Sequence, residues 1–151
     1  IEDSNQSVHV DYPFYLLLSE RESKDTNDSS LISYFTYDHL TYLFMGDASK
    51  QIEKQLMAAY DLKADVIKVG HHGSNTSSDP DFLDSLDCKI ALISCGYKNK
   101  YGHPSVETLK TLENLHINTL CTSDCGSIAM YSLFHFSFVV TNDGMFGIIW
   151  T

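Results

Sequence analysis

Basic residues are scarce in this sequence, and long apolar runs are missing. Ten lysines and arginines stand against twenty acidic residues, so the net charge is −10. At neutral pH this charge repels phosphate backbones, which disfavours nucleic-acid binding unless a local basic patch or metal ions reverse the field. No stretch approaches the roughly 20 apolar residues that cross a bilayer, and the N-terminus lacks the layout of a signal peptide. We therefore expect the chain itself to be soluble and to make no membrane contact.

The four cysteines have no spacing that is typical of a metal site. Cys121 and Cys125 lie four residues apart, but no second Cys or His pair completes a zinc knuckle. Free cysteines are usually buried, so the favoured interpretation of Cys88, Cys95, Cys121 and Cys125 is four free structural thiols. A Cys121–Cys125 disulfide is the alternative, and it would require an oxidising compartment.

The hydrophobic content of 43% over 151 residues suits one domain. Residues 12–18 resemble a strand, and the polar residues 19–30 indicate an exposed loop. Residues 31–37 and 40–45 are rich in β-branched and aromatic side chains and predict a hairpin around Asp38-His39.

The remainder alternates between helix and strand patterns and then changes to strands alone. Apolar spacing predicts an amphipathic helix after Gly46-Asp47 and another around residues 106–115, while Asp79-Pro80 opens a helix between them. Strands at 64–69, 89–94 and 117–122 complete a βαβαβ arrangement. After Ser127 only strands follow, with a hairpin turn at residues 142–144. The apolar positions assigned to the two amphipathic helices are Ile52, Leu56, Ala59 and Tyr60, and Val106, Leu109, Leu112 and Leu115.

Three polar clusters fall just beyond predicted strands, at residues 46–47, 70–78 and 96–103. Open α/β sheets place ligands beyond the carboxyl ends of their strands. A carboxylate and imidazoles that converge there are suitable ligands for zinc or manganese. The clusters therefore predict part of a metal site.

Each candidate residue also has a structural alternative. Asp47 is a suitable cap for the helix that follows it. His71 and His72 are equally consistent with loop residues bonded to solvent or backbone, and His103 with an N-cap. The other histidines have no companion motif and are interpreted as surface or β-face residues: His9, His39, His116 and His135.

The combination of motifs is more specific than any one of them. Phe44-Met45-Gly46-Asp47, Ala64 through Ser74, Ala91 through Gly96 and Asn99 through Pro104 together resemble the C-terminal metallo-β-lactamase-like domain of ComEC-type competence (DNA-uptake) proteins. Asn27 through Leu31 resembles the Asn-rich start of a strand in the same family. The resemblance covers about residues 27 to 130.

The resemblance implies a role for each matching residue. Asp47 matches a metal-bridging aspartate, and His71 of the His71-His72 pair is the favoured metal ligand. His72 is assigned to the lining of the site and His103 to substrate contact or proton transfer, so these two are the candidate catalytic residues. The implied cofactor is one or two divalent ions, zinc or manganese. Ser74 and Asn99 resemble polar neighbours that position a phosphate or support the ligands.

The family's first metal motif, His-x-His-x-Asp-His, does not occur in the sequence. We therefore expect residues 1–151 to form a single partial domain, the C-terminal half of an αββα sandwich, with a mixed β-sheet that has helices packed on one face. Such a half would be inactive alone and would pair with the missing N-terminal half. Its exposed sheet face would also favour homodimerisation.

The resemblance implies part of a metal-dependent hydrolase, a DNA phosphodiesterase or nuclease, in natural competence. Its partner would be DNA, bound through a full-length protein in the bacterial membrane with this domain on the extracytoplasmic side. One alternative is another hydrolase of phosphoesters with the same fold, such as a choline-phosphodiesterase-like enzyme. The other is a degenerate module without catalysis.

Overall fold

The computed structural model of the protein describes residues 13–17, 26–133, 136–144 and 146–149. Several sequence predictions lie outside these residues. They are the ends of the strand at 12–18, most of the loop at 19–30, and the positions of His9 and His135.

The larger of two sheets in the described part of the chain is mixed and has six strands in the order β1-β2-β3-β4-β5-β6. β1 to β3 are antiparallel, and β3 to β6 run parallel. This order confirms the predicted hairpin at Asp38-His39 and the βαβαβ arrangement after it. The strands are β1 Phe14–Leu17, β2 Ile32–Tyr37, β3 Leu40–Phe44, β4 Val66–Lys68, β5 Ile90–Ile93 and β6 Asn118–Cys121.

Helices cover one face of this sheet, as the sequence predicted. Inward side chains of the strands, such as Leu43 and Ile67, pack there against Leu56, Phe82 and Leu112 of the helices in one buried cluster. Burial of these apolar side chains is the main stabilising contribution on this side. The helices are α1 Lys50–Ala59, α2 Pro80–Leu86, α3 Val106–Asn114 and α4 Thr122–Cys125.

The predicted inner face of α3 is partly wrong. Val106 and Leu109 are 69% and 40% exposed, whereas Thr108 is buried beside Leu112. The Thr108 hydroxyl donates to the carbonyl of Ser74 at 3.1 Å, which satisfies this polar side chain in its buried position facing the loop after β4.

The inner face of α1 also differs from the prediction at its end. Ile52 and Leu56 are buried as expected, but Ala59 is exposed and Tyr60 lies beyond the last helical residue. Glu53 is buried in their place. A carboxylate on the inner face requires hydrogen-bond partners, which are described below.

A second sheet of three antiparallel strands covers part of the other face of the large sheet. Ile149 and Met130 pack there against Leu40, Tyr42 and Val66. The expectation that this face would be exposed is therefore wrong at its centre. The strands are β7 Ile128–Leu133, β8 Phe136–Thr141 and β9 Phe146–Ile149.

At the β1–β2 edge, the same face stays open. Phe14 stacks on Phe35 with ring centroids 5.6 Å apart, and Phe35 stacks on Tyr42 at 5.1 Å. Phe14 and Tyr37 are nevertheless exposed. In the described ranges, no helix combines the length and apolar character needed to cross a membrane.

Candidate functional site

The three polar clusters meet at one edge of the large sheet. β3, β4 and β5 are parallel neighbours, so their carboxyl ends lie side by side. The backbone N–H of His71 donates to the carbonyl of Gly46 at 3.0 Å, and Val69 N–H donates to the carbonyl of Leu92 at 2.9 Å. These bonds hold the loops in register and bring Asp47, His71, His72 and His103 to a common edge.

The two adjacent histidines occupy a tight turn, Gly70–Gly73, which we call the histidine turn. His71 has φ 46° and His72 has φ 54°, so both adopt the left-handed conformation. For residues with a Cβ this conformation costs on the order of 1 kcal/mol each. Strain of this kind persists only where the surroundings impose it, and such positions are often functional.

His72 is oriented by its own side chain. Its Nδ1 lies 2.6 Å from the carbonyl oxygen of Ser94, which only accepts, so Nδ1 carries the proton. Nε2 lies 3.6 Å from Oδ1 of Asp47, and in the neutral imidazole this nitrogen carries the lone pair. Metal-ligating histidines usually donate the N–H of their non-ligating nitrogen to a carbonyl, a carboxylate or water, and His72 makes such a bond to Ser94.

His71 is supported by a short chain of hydroxyls. Its Nδ1 lies 3.3 Å from Oγ1 of Thr76, which in turn lies 3.0 Å from Oγ of Ser74. Ser74 is buried and belongs to this chain of hydroxyls, and its predicted supporting role stays a prediction. Thr76 lies in the predicted polar cluster at residues 70–78, but no motif singled it out.

Asp47 is positioned by residues before β2. Its backbone N–H donates to Oγ of Ser30 at 2.9 Å, and the N–H of Ser49 donates to Oδ1 of Asp28 at 3.3 Å. Ser49 is the N-cap residue of α1, so the alternative of Asp47 as a helix cap is wrong. The match at residues 27–31 was the only sequence signal for Asp28 and Ser30.

His103 ends a loop that Asn99 holds closed. The Asn99 amide donates to the carbonyls of Gly96 and His103 at 3.0 and 2.6 Å, and its oxygen accepts from His103 N–H at 2.9 Å. These bonds give Asn99 a loop-shaping role. The N-cap of α3 is Ser105, so the alternative of His103 as an N-cap is wrong.

The imidazoles influence one another at this edge. The ring centroids of His71 and His103 are 5.8 Å apart. Burial lowers the pKa of His103, and the nearby His71 and His72 lower it further. The lowered pKa favours the neutral form of His103, which lines an open cleft of about 470 Å³. The cleft is lined by His72, Ser94, Cys95, Gly96, Asn99, Tyr101 and His103.

The donor set fits part of a metal site. Asp47 and His72 present an oxygen and a nitrogen toward each other, as zinc or manganese requires. Among the residues that the structure describes, however, no group of three or more His, Cys, Asp or Glu could hold a metal ion. Further ligands would therefore have to come from outside these residues.

Lys68 is a charged neighbour of Asp47 that no sequence motif singled out. Its ammonium lies 3.5 Å from the carbonyl of Gly46, next to Asp47. Burial lowers the pKa of Lys68, while the negative charge of Asp47 opposes this shift. Lys68 thus places a cation beside the candidate carboxylate.

Glu53 holds the far end of the polar loop at residues 70–78. Its carboxylate accepts from the N–H groups of Ser78 and Asp79 at 2.8 and 2.7 Å. Burial raises the pKa of Glu53 to about 7, although these two hydrogen bonds lower it in part. The nearby Asp79 raises the pKa and Lys50 lowers it.

We predict that Glu53 makes the free energy of unfolding depend on pH. The folded chain holds the Glu53 proton more tightly than the unfolded chain, so stability falls as pH rises from 4.5 to about 7. The full change is about 3 kcal/mol or less. Urea unfolding of the native chain and Glu53→Gln at several pH values measures it. An equal dependence of the free energy of unfolding on pH in both proteins would contradict the prediction.

The site and fold together define a mixed α/β domain with a carboxylate and three histidines at the carboxyl edge of its parallel strands. No family model matches the chain. The chain is 36% identical over 120 residues to ComE operon protein 3 of Bacillus subtilis. This alignment covers 78% of this chain and 16% of that protein. It is 33% identical over 126 residues to competence protein ComA of Neisseria gonorrhoeae, and this alignment covers 82% of this chain and 18% of that protein.

A shorter similarity, 37% identity over 70 residues, connects the chain to recombination protein 2 of Haemophilus influenzae. It covers 46% of this chain and 9% of that protein. The chain is thus homologous to competence proteins over about four-fifths of its length. It spans less than a fifth of the length of these relatives.

Proposed function

We propose that this chain is part of a metal-dependent phosphodiesterase that acts on DNA in a competence protein. The observation that carries the proposal is the orientation of His72. Its Nδ1 donates to a carbonyl while Nε2 faces Asp47, which is the geometry of a ligand prepared for a metal ion. The similarity to proteins named for competence supports DNA as the substrate.

Each residue of the edge has a distinct task in the proposed reaction. Asp47 and His72 would hold a divalent ion, zinc or manganese, and His71 borders them with its ring centroid 6.5 Å from that of His72. A bound ion of this kind lowers the pKa of water toward about 7 and polarises a phosphodiester. His103 lines the cleft as a neutral imidazole, so it is suited to contact the phosphate or to accept a proton.

The loop before His103 offers a surface for single-stranded DNA. Tyr97 and Tyr101 are 75% and 69% exposed. The ammonium groups of Lys98 and Lys100 lie 5.3 and 5.0 Å from the centres of these two rings. Exposed aromatic rings among basic residues are typical of single-strand binding, because bases stack on the rings while cations attract the backbone. This loop is the local basic patch that an acidic chain needs.

We predict that Tyr97→Ala and Tyr101→Ala weaken binding of a labelled oligodeoxythymidine. Stacking contributes about 1–3 kcal/mol per base, so each change should raise Kd about 5- to 150-fold. Tyr131→Ala is the matched control, because Tyr131 is also exposed but lies on the second sheet. Fluorescence anisotropy at low salt measures the three values. Equal Kd values for all three variants would show that this loop does not bind DNA.

The hydrolase proposal is tested with the full-length protein that contains this chain. We expect it to cleave labelled single-stranded DNA with manganese or zinc and to lose cleavage in excess chelator. Hydrolysis of choline phosphoesters without DNA cleavage would favour the alternative enzyme. The absence of any hydrolysis, together with no His-x-His-x-Asp-His upstream of Ile1, would favour the degenerate module.

The proposed parent protein lies in the bacterial membrane with this domain outside the cytoplasm, which suits contact with incoming DNA. The upstream half of the domain is the proposed partner for the open β1–β2 edge, where Phe14 and Tyr37 are exposed. Homodimerisation of the isolated chain through the same edge competes with that pairing. Sedimentation that shows a stable monomer at high concentration would count against the dimer.

A further inference from the structure

Two cysteines near the carboxyl ends of neighbouring strands meet beside the cleft. Cys121 is the last residue of β6, and Cys95 lies two residues after β5, the parallel neighbour of β6. Their Sγ atoms are 3.2 Å apart. A disulfide requires about 2.05 Å, so the bond needs a movement of only about 1 Å. This pairing differs from the Cys121–Cys125 disulfide that the sequence left as an alternative.

The backbones of the two cysteines are already held together. Cys95 N–H donates to Oγ1 of Thr122 at 2.9 Å, and the same hydroxyl donates to the carbonyl of Cys95 at 2.8 Å. Thr122 follows Cys121 directly, so its side chain fixes the separation of the two thiols. A rigid, close pair loses little conformational freedom when it is bonded.

The two thiols differ in access. Cys95 is half-buried and lines the cleft, so a small oxidant can reach it from solvent. Cys121 is buried, and burial raises its pKa. Cys88 and Cys125 are also buried, and burial raises the pKa of Cys88 to about 12. Cys95 is therefore the thiol that reacts first, and Cys121 is the thiol beside it.

We propose that Cys95 and Cys121 form a reversible disulfide by exchange with a small-molecule disulfide of the glutathione class. The Cys95 thiolate attacks one sulfur of oxidised glutathione and releases one glutathione thiolate. The Cys121 thiolate then attacks the Cys95 sulfur of the mixed disulfide and releases the second. Two protein thiols are oxidised, one glutathione disulfide is reduced, and the two protons go to the released thiolates.

This disulfide would constrain the segment Ser94-Cys95, which lines the cleft. Ser94, whose carbonyl orients the His72 ring, directly precedes Cys95. The disulfide joins the ends of β5 and β6 across 26 positions of sequence. It therefore fixes the segment that orients His72, independently of whether a metal ion is bound or DNA is cleaved.

The test is a peptide map of the chain after equilibration with oxidised glutathione at pH 8 and alkylation of the remaining thiols. We expect the number of free thiols to fall from four to two and a Cys95–Cys121 linkage to appear. The melting temperature should rise by roughly 5–10 °C, and added dithiothreitol should reverse the change.

Variants separate this pair from the other thiols. Cys88→Ser should still form the cross-link, whereas Cys95→Ser and Cys121→Ser should form none. Four alkylated thiols in the native chain, a stable glutathione adduct on Cys95 without a cross-link, or a Cys121–Cys125 linkage would each overturn the proposal. The peptide map of the native chain identifies the linkage even if a variant fails to fold.

Discussion

Asp47→Asn should lower metal-dependent DNA hydrolysis by the full-length protein by at least about 100-fold, because loss of a metal ligand removes the ion's stabilisation of the transition state. Asparagine retains the size and the backbone bond to Ser30 but not the negative charge. The protein should therefore stay folded while its metal affinity falls. Rates at saturating manganese or zinc, with metal content measured in parallel, provide the test.

Histidine variants determine which ring is the ligand. The geometry favours His72, whose Nε2 faces Asp47, whereas the family resemblance favours His71. His72→Gln should lose as much activity as Asp47→Asn, and His71→Gln should lose less. His39→Gln is the control, since His39 contacts Ser137 of the second sheet. Full activity of Asp47→Asn and His72→Gln would contradict the proposed site.

Gly73→Ala should lower the free energy of unfolding by about 2–4 kcal/mol. Gly73 has φ +79°, and a Cβ at this position would lie 2.8 Å from Cβ of Pro104. Both the backbone conformation and the contact oppose a side chain. The change would displace the histidine turn from the loop that carries His103.

Gly96→Ala is the matched control for this change. A Cβ at Gly96 meets nothing within 4 Å, although Gly96 lines the same cleft. We expect its free energy of unfolding to change by about 0.5 kcal/mol or less. Urea unfolding of both variants measures the difference. Equal stability of the two would show that the histidine turn tolerates a shift away from Pro104.

Local patterns in the sequence were sufficient to predict most of the large sheet. Strands were recognised from alternating apolar residues, and helices from apolar residues every three or four positions and from the helix start at Asp79-Pro80. Together these patterns define βαβαβ units, whose geometry is common to many chains. The position of β7–β9 was not predictable in this way. Their strands were recognised, but the contact of Ile149 with Tyr42 depends on tertiary packing that no local pattern encodes.

The same limit applies to the site. The position of polar residues after parallel strands predicted that Asp47, His71 and His103 share an edge. The orientation of His72 could not be predicted, because it depends on the carbonyl of Ser94, 22 positions away in sequence. Cys95 and Cys121 meet for a similar reason, since their contact follows from the register of β5 and β6.

The most direct test of the account is a crystal structure of the full-length protein with manganese or zinc, measured at the absorption edge of the metal. We predict an anomalous peak about 2.0–2.2 Å from a carboxylate oxygen of Asp47 and from Nε2 of His72. A peak that contacts neither residue, or no peak in a protein that cleaves DNA, would contradict it.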